Sequence, residues 1–275
     1  MTRSMITRHV DQTEIKRVRS ELLRRRDKLI ELARDQKTDM DRQDREHILA
    51  FFEKRESPKP PANIPDLMKS FFASCFSYAP LRRYLTSILG CLPDPGNLAD
   101  CLSEVYSEDG FRIDENWLPR RLHEIAVRIQ QRENFDLSSN RFRPRMICVI
   151  LDGTAEMESR LESGLEEFYR ELDAINRGPA EEMWKYVSQF SGHIYNVGTA
   201  LVCDFLKNTG CDRFVKVDHH FKNEFPRLLG LEDCKKLSSK EHFILSQEIA
   251  DIVEMRPFHL DHLLYQWGRY KKYDN

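Results

Sequence analysis

Glycine, long apolar runs and an excess of either charge are all scarce in this sequence. Only 11 of the 275 residues are glycine, which disfavours glycine-rich β-architectures and dinucleotide-binding folds. No segment approaches the roughly 20 consecutive apolar residues that a membrane-spanning helix needs. Residues 1–10 lack the apolar core of a secretory signal. We therefore expect a soluble, cytoplasmic protein with no membrane partner.

The cysteines and the charge balance exclude further classes of site. None of the 7 cysteines forms the C-x₂-C pair of a zinc site, and no closely spaced quartet is present for an iron–sulfur cluster. Their odd number and mostly apolar neighbours indicate buried, reduced thiols. The 43 basic and 45 acidic residues give a formal net charge of −2. This balance counts mildly against a nucleic-acid binder unless positive charge is concentrated locally.

Apolar residues recur at helical spacing along most of the chain, which predicts a mainly α fold. Residues 1–56 are predicted to contain two charged amphipathic helices. The run Arg24–Arg26 there is either a solvated helix face, which we favour, or a phosphate contact. Residues 57–66 are a proline-rich linker that cannot continue a helix, and residues 67–275 form the remaining region. Within it, one acidic helix is predicted over Glu156–Ile175.

Two helices joined by a tight turn are predicted over residues 180–207. The first begins after Pro179 with two acidic residues, which the positive end of a helix dipole favours, and ends near Gly192. The second begins at Thr199. The turn between the two helices and the start of the second helix read Ile194-Tyr195-Asn196-Val197-Gly198-Thr199-Ala200-Leu201-Val202. This segment resembles the helix-hairpin-helix of the DNA glycosylase superfamily, which includes endonuclease III, 8-oxoguanine glycosylase and 3-methyladenine glycosylase.

A second motif strengthens the resemblance. Val217-Asp218-His219-His220-Phe221 resembles the V-D-x-H-φ segment that bears the family's catalytic aspartate, and Asp218 follows Ala200 by 18 residues. The resemblance covers about residues 179–230. It implies two helical subdomains, with the charged N-terminal helices packing on the C-terminal part. It also implies that the hairpin and the loop 216–221 line a catalytic cleft between the subdomains.

Asp218 is the candidate catalytic residue. Breaking an N-glycosidic bond places positive charge on the sugar, and a fixed carboxylate beside C1′ stabilises that charge and orients or deprotonates a water. The alternative is that Asp218 only caps the helix that begins near His219, since aspartate is a favoured N-cap residue. Both roles are compatible in this family, where the acid stands at a helix start.

Ala200 occupies the position at which bifunctional family members carry lysine. That lysine forms a Schiff base with the sugar and leads to strand cleavage, which alanine cannot do. The resemblance therefore implies a monofunctional enzyme that uses water and leaves an abasic site. A substitute lysine, Lys207 or Lys216, is the less favoured alternative.

The resemblance also implies a DNA interface. The helix start at the hairpin offers backbone N–H groups to a phosphate, and Asn196 replaces the first hairpin glycine, which asparagine tolerates better than most residues. The candidate DNA-binding residues are Tyr195, Asn196, Val197, Gly198, Thr199, His220, Lys207, Lys216 and Lys222. We expect no zinc, no iron–sulfur cluster and no other cofactor, although some family members hold a monovalent cation at the hairpin carbonyls.

The sequence thus predicts a monomeric DNA N-glycosylase that flips a damaged or modified base out of double-stranded DNA. Its role is either repair or defence against modified foreign DNA such as that of phages, and a bacterial protein of this kind would be associated with the nucleoid. One rival is a non-catalytic helix-hairpin-helix DNA-binding protein, which has no use for Asp218. The other is a helical scaffold for protein partners, which the charged N-terminal helices favour.

Overall fold

A computed structural model of the chain describes residues 12–54, 56, 58–75, 106–107, 110–111, 152–194, 197–230 and 237–271. These residues are mainly helical. The helices are α1 (Gln12–Arg34), α2 (Arg42–Ile48), α3 (Ile64–Cys75), α4 (152–160), α5 (Leu165–Arg177), α6 (Ala180–Gly192), α7 (Thr199–Asn208), α8 (His219–Leu228), α9 (Ser239–Ile252) and α10 (Pro257–Tyr270). A π-helical turn, Leu49–Glu53, follows α2 directly. Strands β1 (Tyr106–Ser107) and β2 (Gly110–Phe111) pair antiparallel, Tyr106 with Phe111.

The chain divides into two compact units. The first contains residues 1–59, 175–185 and 210–275, and the second contains residues 60–174 and 186–209. Helix α6 therefore contributes its first turns to the first unit and its remainder to the second. The predicted cleft between two subdomains stays a prediction.

In the first unit, α10 is the central helix and contacts α1, α8 and α9. Its apolar side, with Leu260, Leu263 and Leu264, is fully buried, as expected for a helix surrounded by others. Trp267 of the same helix lies under the guanidinium groups of Arg24 and Arg25 of α1, at 5.1 and 5.2 Å from the ring centroid.

Buried polar contacts also join α2 to α10. The Asp44 carboxylate accepts hydrogen bonds from the Tyr270 hydroxyl and, at 3.3 Å, from Gln266. Arg269 forms an ion pair with the same carboxylate at 2.6 Å. A buried carboxylate is tolerated when it is paired in this way. The charged N-terminal segment is therefore anchored to the C-terminal helix of its unit by specific polar contacts as well as by apolar packing.

In the second unit, α3 packs against α7 through an aromatic cluster. Phe71 meets Phe205 edge-to-face, with ring centroids 5.2 Å apart, and Phe190 of α6 lies 6.0 Å from Phe205. All three side chains are completely buried. Gly153 of α4 lies against Phe71, and an ideal Cβ there would be 2.7 Å from the ring. This contact requires glycine.

The structure confirms several helices and corrects one. The two N-terminal helices, the two helices around the hairpin and the helix after Asp218 are present. The single helix predicted over Glu156–Ile175 was wrong, because α4 ends at residue 160, a turn covers residues 161–163, and Gly164, at φ +91°, lies directly before α5. Helix α3 begins at Ile64, inside the predicted linker. Among the helices described, none combines the length and the apolar character needed to cross a bilayer.

Candidate functional site

The described part of the predicted hairpin segment leads into α7, whose start has no side-chain cap. Val197 is buried, its N–H donates to the Ile194 carbonyl at 3.2 Å, and its carbonyl accepts the Ser191 hydroxyl at 2.6 Å. Gly198 is the N-cap of α7, with φ −82° and ψ 161°, and makes no side-chain capping hydrogen bond. Because the first N–H groups of a helix have no partner within the helix, the start of α7 presents N–H donors and the positive end of its dipole. Tyr195 and Asn196 lie outside the described residues.

Gly198 is exposed, and its surroundings do not account for a glycine. Its backbone angles are extended ones that any residue adopts. No described atom lies within 4 Å of an ideal Cβ at this position. Serine or aspartate would cap the helix better than glycine does. The absence of a side chain therefore leaves the backbone accessible to a close-approaching ligand.

Asp218 stands at the start of α8, as predicted. The Phe221 N–H donates to Asp218 Oδ1 at 3.0 Å, so the side chain caps the helix. The side chain is only partly buried. A carboxylate has two oxygens and about four acceptor sites, so one capping bond leaves capacity for a water or a sugar. The capping role is thus observed, and it is compatible with a catalytic one.

The loop that leads to Asp218 is fixed by contacts with α9 and α10. Gln247 of α9 donates to the Arg213 carbonyl at 2.8 Å. The Lys216 N–H donates to Asp261 of α10 at 3.1 Å, and the Asp218 N–H donates to the Lys216 carbonyl at 2.7 Å. Val215 and Val217 are buried on either side of Lys216. These contacts fix the backbone of the loop on both sides of Lys216 and up to Asp218.

Two other predicted DNA-binding residues, His220 and Lys222, lie on α8 and differ in their exposure to solvent. His220 is half-buried and packs on α10, with its ring 5.3 Å from that of Tyr265 and its Nδ1 3.4 Å from an ideal Cβ at Gly268. These contacts give His220 a packing role on α10, and its predicted contact with DNA stays a prediction. Lys222 is exposed. Burial lowers the pKa of His242, and the nearby charge of Lys222 lowers it further.

Lys207 is mostly buried and paired within its own helix. Its Nζ lies 3.3 Å from Asp204 Oδ1 on the same helix, and only 12% of its side chain is exposed. A lysine held in an intrahelical pair is a poor phosphate contact and a poor substitute nucleophile. Lys216, before Asp218, and Thr199 and Ala200, at the start of α7, are all half-buried.

Sequence reasoning missed a charged cluster just before the hairpin. Glu156 is buried, and its Oε2 lies 2.7 Å from His193 Nδ1. Arg160 binds the other carboxylate oxygen at 2.6 Å and stacks over Phe190 at 4.1 Å. His193 itself is well exposed. The i,i+4 spacing of Glu156 and Arg160 was visible, but His193 is 37 residues away, so only the fold brings it into the cluster.

In the part of the chain that the structure describes, no three histidine, cysteine or acidic side chains converge as a metal site would require. In comparisons with family models, curated proteins and solved structures, nothing was found to match this chain.

Proposed function

We propose that the protein is a monofunctional DNA N-glycosylase that removes a damaged or modified base and leaves an abasic site. The proposal rests on the hairpin and V-D-x-H segments of the sequence. The single observation that supports it best is the start of α7, where Gly198 is exposed and no described atom lies within 4 Å of an ideal Cβ. A DNA phosphate fits this position, since it accepts hydrogen bonds from helix N-terminal N–H groups.

Asp218 supplies the chemistry in this proposal. As the bond between base and sugar lengthens, positive charge develops at C1′ and the Asp218 carboxylate stabilises it. A water adds to C1′, its proton passes to Asp218, and the base leaves with the electron pair of the broken bond. No lysine at position 200 is present to form a Schiff base, so the sugar–phosphate backbone stays intact.

One observation favours a second candidate, a non-catalytic DNA-binding protein. The Asp218 side chain has a structural role as the N-cap of α8, and that role alone accounts for an aspartate there. A protein that only binds DNA would keep the exposed start of α7 and this cap, and it would release no base.

Asp218→Asn separates the two candidates. Asparagine caps helices as well as aspartate does, so the fold and DNA affinity should stay unchanged while base release falls by about 100-fold or more, the usual effect of losing an acid–base group. The matched control is Asp41→Asn, because Asp41 caps α2 through a 2.8 Å bond from the Asp44 N–H. Undiminished base release by Asp218→Asn refutes the catalytic role.

Gly198→Ser tests the hairpin independently. Serine provides a better N-cap than glycine, and the open space accepts its side chain, so thermal stability should stay equal or rise. The added atoms occupy the position of the phosphate, so retention on duplex DNA should weaken and its salt dependence should flatten. Unchanged retention would show that DNA does not contact this backbone. Absence of retention by the wild-type protein at low salt would favour the protein scaffold.

A further inference from the structure

A buried histidine in the first unit has one ring nitrogen without a hydrogen-bond partner. His242, in the first turn of α9, is only 2% exposed. Its Nδ1 lies 3.0 Å from the Ser238 carbonyl oxygen. Because a carbonyl oxygen only accepts hydrogen bonds, Nδ1 carries the proton of the neutral ring. The lone pair is therefore on Nε2, and no hydrogen-bond partner for Nε2 is found in the part of the chain that the structure describes.

Protonation of this ring is unfavourable in its present position. A proton added at Nε2 converts a buried lone pair into a buried, charged N–H group that has no acceptor among the described residues. An unpaired neutral polar atom costs some stability, and an unpaired buried charge costs far more. Positive charge in the first turn of a helix is also opposed by the helix dipole. The surroundings of His242 therefore accommodate only its neutral form.

The charges around the ring leave this balance in place. Burial is the largest influence and lowers the pKa of His242 from its usual 6.5. The Ser238 carbonyl raises the pKa, the charge of Lys222 on α8 lowers it, and the charge of Glu241 on α9 raises it. Glu241 is already engaged in the capping box of α9, where its Oε2 accepts the N–H and the hydroxyl of Ser238, each at 2.7 Å. The net effect is a lowered pKa.

The other elements around α9 have charged groups that are paired elsewhere. Glu181 of α6 forms an ion pair with Lys240 at 2.6 Å. Asp261 of α10 accepts the Lys216 N–H at 3.1 Å. Lys222 and Glu241 thus remain the principal charges that act on the ring.

The imidazole of His242 packs on the buried side of α8. Its ring centroid lies 6.5 Å from that of Phe225, which stacks on Phe221 at 4.8 Å. Both phenylalanine side chains are inaccessible to solvent, or nearly so. A charged imidazole favours water over an apolar contact of this kind. If the ring leaves, the first turn of α9 no longer covers α8, which begins at Asp218.

We propose that His242 makes the packing of α9 on α8 sensitive to acid. The neutral ring stays between the two helices. When Nε2 takes up a proton from the solvent, the ring moves into water and the first turn of α9 separates from α8. This inference concerns packing within the first unit, so it does not depend on the proposed glycosylase function.

The sign of the effect follows from the lowered pKa. The contribution of His242 to stability is complete above the unfolded value of 6.5 and is lost as the pH falls from 6.5 toward the folded-state value. Two variants remove the titrating group in different ways. His242→Asn keeps an N–H donor for the Ser238 carbonyl, and His242→Phe keeps a ring against Phe225.

Urea denaturation measures the effect. Between about pH 7.5 and about pH 5, the unfolding equilibrium constant of the wild type should rise at least about threefold more than that of either variant. The control is His219→Asn, which removes an exposed histidine from α8 and should respond to pH as the wild type does. The same pH response in the wild type and in both His242 variants refutes the proposal.

Hydrogen exchange of the wild-type protein provides a test that needs no variant. After correction for the intrinsic effect of pH, amide protection in α8 and in the first turn of α9 should fall at least about tenfold over the same pH range. Protection in α7, in the second unit, should stay unchanged. Unchanged protection in α8 at about pH 5 overturns the proposal. Neither measurement uses DNA, so the outcome is separate from that of the test for base release.

Discussion

Glu21 should make the attachment of α1 to α10 dependent on pH. Its carboxylate accepts hydrogen bonds from Arg24 at 2.8 Å and from Arg25 at 2.7 Å, and both arginines stack on Trp267. The bond from Arg24, followed by that from Arg25, outweighs burial and lowers the pKa of Glu21 from 4.5 to about 2. At about 1.36 kcal/mol per pH unit, this corresponds to at most about 3 kcal/mol. A quarter of the side chain is exposed, so solvent screening reduces the expected value to about 1–2 kcal/mol.

Because the folded-state pKa is lowered, the stabilisation is present above the unfolded value of 4.5 and is lost as the pH falls toward 2. Urea denaturation should therefore show Glu21→Gln less stable than wild type by about 1–2 kcal/mol at pH 7 and by less than half of that at about pH 3. Glu31→Gln is the control, since Glu31 pairs with Lys28 at the exposed surface of the same helix. Equal differences for Glu21→Gln at both pH values would refute the reasoning.

Three further predictions concern the backbone and the chemistry. Glu254→Gly should be more stable than Glu254→Gln by roughly 0.5–1 kcal/mol in thermal melts. Both variants lose the ion pair with Arg19, but only glycine relieves the strain of the positive φ at this position. The opposite order of stability would show that the conformation is not strained. Gly153→Ala should destabilise the fold by about 1–3 kcal/mol, because the new methyl group meets the buried Phe71 ring, whereas Gly192→Ala, with no described atom within 4 Å, should not. Borohydride should trap no covalent adduct with DNA, and a stable adduct would mean that a lysine acts as nucleophile.

Local signals predicted the helices around the candidate site. The proline before α6, the acids in its first turn, the aspartate before α8 and regular apolar spacing within each helix act over a few residues. The sequence alone therefore reveals them. The break at Gly164 was missed because apolar spacing continues across it, although the glycine itself was a visible signal. It lies at positive φ in the break, directly before α5.

Contacts between distant segments were not predictable in the same way. The contact of Glu156 with His193 depends on tertiary packing, because the two residues are 37 positions apart in the sequence. Packing also decides that His220 lies against α10. The Lys207–Asp204 pair is different, because its i,i+3 spacing on one helix is visible in the sequence.

The most direct test of the central claim is mass spectrometry of the bases released when the wild-type protein is incubated with genomic DNAs of different modification status. The account predicts a free base from at least one of these DNAs, with an equal amount of abasic sites and no strand breaks. Tight retention on every DNA with no free base from any of them would contradict it, and would leave the hairpin as a binding element alone.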